Sequence, residues 1–200
     1  MSQLFEVIES VHGNGTEFQI LQYQPLQNSN LHVHQKIGNR IHQVRVLLND
    51  GKIISETDIF YFMRGQIQID HKMKNANSKL KKIASTMVKN EAILKPTYKG
   101  TGEIYFKPGL VNYIIYRLDD EEIVIDPPMF VCAESTIQIS MAPCKNLPVS
   151  ASKFADQFTQ TKLSGSGIVV FKSFVPASEL LEIQLNNAHF QADQDIVVFR

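Results

Sequence analysis

The chain writes one short phrase twice, and that repetition limits what it can fold into. Residues 97–106 read Thr-Tyr-Lys-Gly-Thr-Gly-Glu-Ile-Tyr-Phe, and residues 163–172 read Leu-Ser-Gly-Ser-Gly-Ile-Val-Val-Phe-Lys. Each has glycines at i and i+2, followed by β-branched and aromatic residues, and Gly100 precedes Gly165 by 65 residues. A weaker echo, Gly13-Asn14-Gly15, precedes Glu17-Phe18-Gln19-Ile20. Glycine inside a strand pattern marks a bulge, a bend or a close approach of backbone. Gly100, Gly102, Gly165 and Gly167 are therefore read as structural glycines. The duplication predicts an all-β architecture of repeated strand blocks.

The rest of the chain fits that reading. Short runs rich in Val, Ile, Phe and Tyr are expected as strands at 17–23, 41–48, 58–63, 66–70, 103–106, 111–118, 122–125, 130–133, 136–141, 167–174, 180–185 and 195–199. Ile67 and Ile69 alternate with Gln66, Gln68 and Asp70, and Ile137 and Ile139 alternate with Gln138 and Ser140, which predicts one buried and one open face. Asn49-Asp50-Gly51 reads as a hairpin turn, Pro108-Gly109 as a second turn and Asp119-Asp120 as a third. Two segments break the pattern. Leu80, Ile83, Ala84, Met87 and Val88 form the stripe of an amphipathic helix over 77–90, and Phe154, Ala155 and Phe158 suggest a shorter helix over 151–161. Lys79, Lys81 and Lys82 on the first helix read as a solvated face rather than a phosphate-binding patch. Each helix precedes a Gly-x-Gly block, as a duplicated unit would. The expected organisation is one β-rich domain over 1–200, a β-sandwich or double-stranded β-helix with one or two short helices. Internal pseudo-repeats are expected near 11–75, 76–141 and 150–200.

Composition excludes several classes. Twenty basic and 20 acidic residues give a formal net charge of zero, which argues against a dominant electrostatic partner such as duplex DNA. The first residues show no basic and apolar leader, and no apolar run approaches 18 residues, so neither a secretion signal nor a membrane span is expected. Cys132 and Cys144 form no C-x-x-C motif and read as reduced thiols of a cytoplasmic protein.

Candidate chemistry is sparse. On a strand, His32 and His34 would point to the same side and could reach one ion, with His42 and Glu56 as further ligands. The residues before them, Gln27-Asn28-Ser29-Asn30, read as an exposed loop, so the default is a solvated pair and no bound metal. Ser166 has no nucleophile-elbow context, and Cys132 lies in an apolar run that reads as core. Asp119-Asp120-Glu121-Glu122 reads as a solvated acidic stretch rather than a cation site. Tyr98, Tyr105, Phe106, Tyr113 and Tyr116 interleave with Lys95, Lys99, Lys107 and Arg117, a pattern that could stack single-stranded RNA or simply fill a core.

Three pieces of the chain resemble one family. They are Glu91-Ala-Ile-Leu-Lys-Pro-Thr-Tyr-Lys-Gly-Thr-Gly-Glu-Ile-Tyr-Phe followed by Pro108-Gly109, then Leu163-Ser-Gly-Ser-Gly-Ile-Val-Val-Phe, and finally Asp195-Ile-Val-Val-Phe-Arg. Their order is similar to that of the family named for altered inheritance of mitochondria, also called the mitochondrial biogenesis family. Glycines around the first helix are fewer than that family leads one to expect, and Phe60-Tyr61-Phe62 is bulkier. The resemblance implies a fold similar to the tryptophan-RNA-binding attenuation protein, and self-association. It implies no catalytic residue set. The expectation is thus a non-enzymatic homo-oligomeric scaffold or binding protein with no cofactor. An RNA-binding regulator and a metal-dependent β-helix enzyme using His32 and His34 are the alternatives.

Overall fold

The computed structural model describes residues 4–24, 40–70, 95–143, 159–188, 190 and 197–200. Nine strands run through them: β1 (Phe5–His12), β2 (Thr16–Tyr23), β3 (His42–Ser55), β4 (Phe60–Asp70), β5 (Thr97–Phe106), β6 (Asn112–Ile125), β7 (Phe130–Glu134), β8 (Gln138–Pro143) and β9 (Thr159–Ser173). Every pairing is antiparallel, and all nine strands join one continuous sheet. The all-β expectation holds. Among the described residues the only helices are two three-residue 3-10 turns, Pro127–Met129 and Ala177–Glu179. The helix expected at 77–90 lies outside the described residues. So does most of the one expected at 151–161, whose last three residues instead begin β9.

Two triplets of strands are built alike. In the first, β5 lies between β3 and β4. In the second, β9 lies between β6 on one edge and β7 with β8 on the other. The Gly-x-Gly phrase occupies the middle strand each time, opposite a bulge in its neighbour. Leu48 faces Gly102 and Gly51 faces Gly100, so Asn49 and Asp50 together oppose Thr101. Leu118 faces Gly167 and Glu121 faces Gly165, so Asp119 and Asp120 together oppose Ser166. Asp50 and Asp120 both take the left-handed conformation, with φ of 51° and 56°. The amide of Asp50 donates to Thr101 Oγ1 at 3.0 Å, and the amide of Asp120 donates to Ser166 Oγ at 2.9 Å. The hydroxyl between each glycine pair thus accepts the N–H that its bulge takes out of the ladder.

This arrangement corrects two turn assignments. Asn49-Asp50-Gly51 and Asp119-Asp120 do not reverse the chain. They kink β3 and β6, which continue for 14 residues each. The expected strands at 58–63 and 66–70 likewise fuse into β4, with Gly65 at φ 110°. The strand expected at 180–185 is absent, and residues 197–200 carry no strand assignment.

The sheet folds so that its halves enclose two cores. One joins Phe18, Ile20, Val44, Val46, Ile104 and Phe106 to Val131, Ile168 and Val170. The other gathers Ile114, Leu118, Ile123, Phe130 and Leu163 around Val169 and Phe171. Alternate residues of β9 therefore serve different cores. That is why Ile168-Val169-Val170-Phe171 reads as an unbroken apolar run: a strand buried on both faces has no polar side to show. Complete burial of a side chain such as Phe171 or Ile168 stabilises by about 1.5–3 kcal/mol.

Gly100 tests the close approach of the glycine pair to the neighbouring strands. Its φ is 141°, and a Cβ there would lie 2.0 Å from the Gln66 carbonyl oxygen on β4. Gly100→Ala is expected to lower stability by about 1–3 kcal/mol, read as a fall in the urea midpoint. Lys99→Ala, at an exposed neighbour, is the control and should change it by under about 0.5 kcal/mol.

Candidate functional site

Five strands, β1, β2, β3, β5 and β4 in that order, present a polar belt on the face turned away from the first core. Two cross-strand rows compose it. One runs His12, Glu17, Leu47, Glu103, Arg64, and the next runs Ser10, Gln19, Arg45, Tyr105, Phe62. A shallow cleft of about 480 Å³ opens at one end, lined by His12, Thr16, Glu17, Leu47, Thr101 and Glu103 among others.

The polar groups of this belt are tied to one another. Glu17 Oε1 accepts from Ser10 Oγ at 2.7 Å and from Gln19 Nε2 at 2.5 Å. Gln19 Oε1 accepts from Arg45 Nε at 2.6 Å, and Arg45 Nη1 approaches the Tyr105 hydroxyl at 3.3 Å. That hydroxyl donates to Glu103 Oε2 at 2.7 Å, while Arg64 Nη2 donates to Glu103 Oε1 at 2.8 Å. Arg45 also lies over the rings of Phe5 and Tyr105, and Phe62 stacks on Tyr105 with centroids 4.3 Å apart. The Ser10 hydrogen bond holds the Glu17 carboxyl below its ordinary value, and Arg64 does the same for Glu103.

A second polar centre joins the two halves. Glu134, 6% exposed, closes β7. Its Oε1 accepts from the Asn14 amide at 2.9 Å and from Thr16 Oγ1 at 2.7 Å, and its Oε2 accepts from the Ile168 amide at 2.9 Å. Nearby, Arg117 Nη2 on β6 donates to the His12 carbonyl at 2.6 Å. The turn between β1 and β2 is thus gripped from the second strand triplet at two points. Glycines make the room: a Cβ on Gly13 would lie 2.1 Å from Glu134 Oε1, and one on Gly167 would lie 2.9 Å from Glu134 Oε2.

The sequence-derived candidates divide as follows. His32, His34 and Cys144 lie outside the described residues. His42 is buried with Nδ1 3.0 Å from the Val111 carbonyl, and Glu56 accepts a hydrogen bond from Lys95. Both proposed supporting ligands are therefore engaged elsewhere. Among the described residues no group of three His, Cys, Asp or Glu could hold a metal ion. Cys132 is fully buried, and burial raises its thiol well above the usual value, in line with a core residue. Ser166 serves the β6 bulge. Tyr98, Tyr105, Phe106 and Tyr113 are buried, as is Lys95, so their interleaving with lysines does not form a surface stacking platform. Asp119, Asp120, Glu121 and Glu122 are exposed on β6, where Glu122 pairs with Lys162. Alternation in Glu17-x-Gln19 and Glu103-x-Tyr105 places these residues on one face, which is the only sequence signal of the belt.

Among the described residues no helix is long and apolar enough to cross a membrane. Residues 34–200 match the model of a family described as mitochondrial biogenesis AIM24. A similar solved structure is the crystal structure of protein SPYM3_0169 from Streptococcus pyogenes, 13% identical with a TM-score of 0.52. The alignment covers 80% of this chain and 66% of that one, slightly under two thirds of its length. At that identity the likeness concerns the fold alone. No curated protein matches the sequence.

Two outcomes follow from the site geometry. Glu134→Gln puts an amide donor against at least one of the three donors, and should cost about 1–3 kcal/mol of stability, measured by urea unfolding at neutral pH. The acid response concerns Glu17, Glu56 and Glu103. For Glu56, burial pushes the carboxyl up, but Lys95 and Thr57 outweigh it and leave it below the ordinary 4.5. A lowered folded value means that the native state prefers the ionised form. The stability contributed by these three groups is complete above the unfolded value and is lost as pH falls through the folded values. The urea midpoint should drop below pH 4.5, and Glu103→Gln should make that drop shallower.

Proposed function

The chain belongs to the mitochondrial biogenesis AIM24 family, and we propose that it acts as a non-enzymatic, cytoplasmic, homo-oligomeric scaffold or binding protein. The observation that carries this reading is the state of the belt's polar groups. Glu17, Glu103, Arg45 and Arg64 are engaged across strands in hydrogen bonds that order the surface. A surface organised in this way offers shape and fixed charge to a partner.

Self-association is supported by the sheet's edges. Among the described residues β1 pairs only with β2, and β4 pairs only with β5. Both carry exposed apolar side chains: Leu4 and Ile8 at the first edge, Tyr61 and Phe62 at the second. Unpaired strands with apolar neighbours are sites for adding another strand. The likeness to the tryptophan-RNA-binding attenuation protein implied by the family resemblance belongs with this reading, as does an oligomer closed through strand edges.

A second reading, binding of single-stranded RNA, draws on exposed Tyr61 and Phe62 beside Arg64 on β4. Native mass spectrometry of protein purified without chelators distinguishes the two. The expected spectrum is a homo-oligomer with no additional mass, unchanged by single-stranded RNA at low salt. A single-chain species overturns the oligomeric reading. RNA retained at low salt and lost at high salt favours the second. A bound metal or small molecule returns attention to an enzymatic role.

A further inference from the structure

Residues 180–185, Leu-Leu-Glu-Ile-Gln-Leu, alternate as a half-buried strand does, yet they have no strand partner among the described residues. Every residue over 181–188 is exposed, with Leu181 at 81%, Ile183 at 44% and Leu185 at 52%. Phe174, at the root of this arm, is 74% exposed. A run of aliphatic side chains standing in water at every second position is a strand without its sheet.

The arm is anchored at both ends. Leu180 packs on the second core, and so do Val198 and Phe199. Arg200 exchanges backbone hydrogen bonds with Val124 of β6, at 2.7 and 3.1 Å. Both anchors belong to the β6 end of the sheet, whereas β4 lies on a branch that leaves β3 through β5.

We propose that residues 180–185 add as a strand to the free β4 edge of a second copy of this chain. The chemistry matches on both faces. On one, Ile67 is partly buried on the first core and Ile69 is 37% exposed, so Leu181, Ile183 and Leu185 would extend that apolar row. On the other, Gln66 and Gln68 are exposed, and Lys99 and Lys52 stand in register beside Gln68. Glu182, on the face opposite Leu181, Ile183 and Leu185, complements that lysine row. β1, another strand paired on one side among the described residues, carries Glu6 and Glu9 and would repel it. Charge thus selects β4 over β1.

This inference rests on the oligomeric reading above, and its test separates the two. The full-length protein and the double variant Leu181→Glu, Ile183→Glu are compared by size-exclusion chromatography with light scattering, with circular dichroism to verify folding. Wild type is expected to elute as an oligomer and the variant as single chains. In parallel, an Ile183→Cys protein is mixed with a differently tagged Ile69→Cys protein, both lacking Cys144 through Cys144→Ser. A disulfide between the two tags is expected, and it decides the matter should the double variant fold poorly. A folded double variant with unchanged particle mass overturns the arm's role while leaving the oligomeric reading intact. Absence of the mixed disulfide does the same. A wild type that is a single chain at every concentration overturns both.

Discussion

The Glu134 carboxylate holds the two halves of this protein together. It is almost wholly removed from water and its three partners are neutral donors, from the β1–β2 turn on one side and β9 on the other. A buried carboxylate without such bonds would cost several kcal/mol, so the arrangement is stable only when all three donors converge. Gly13 and Gly167 follow from that requirement, because a methyl group at either position would occupy the space of a carboxylate oxygen. Asn49 then donates its amide to the Gly15 carbonyl at 2.9 Å, which carries the same joint on to the β3 bulge.

From this joint outward the fold is one device used twice. A left-handed Asp in a bulge, a hydroxyl that accepts its amide and a glycine on either side of that hydroxyl recur in both strand triplets. Where the triplets differ, the difference has a use. β4 passes the glycine pair of β5 without a break in register because Gly65 meets Gly102 with no side chain between them. The strand beside β9 is instead interrupted between β7 and β8, and Glu134 stands at that break.

Much of this was legible in the sequence, and the failures have a common cause. Alternation located the strands because one face of each sits in a core, and it placed Ile137 and Ile139 inside correctly. Asn49-Asp50-Gly51 was misassigned because a tight hairpin and a bulge ask for the same left-handed residue. Only the partner strand decides between them, and β5, which supplies it, is encoded about 50 residues later. The 180–185 segment shows the converse: its alternation is real, but no strand among the described residues pairs with it. Glu134 was not legible at all. A glutamate at a strand end ordinarily faces water, and its partners, Asn14, Thr16 and Ile168, are 120, 118 and 34 residues away. The belt could have been read further, since Gln19, Arg45 and Tyr105 share a face by simple alternation.

A body whose polar groups are internally satisfied has its unmet bonding capacity at the ends of its sheet. Among the described residues β1 and β4 are two such ends, and the functional reading rests on their being covered by other copies. Amide hydrogen exchange along β4, followed as protein concentration is raised, examines that claim residue by residue. If copies associate through this edge, its outward amides should pass from rapid exchange in dilute solution to strong protection at high concentration, while the amides of β9 stay protected throughout. Rapid exchange along β4 and β1 at every concentration would contradict it, and would leave the protein a single chain with open edges.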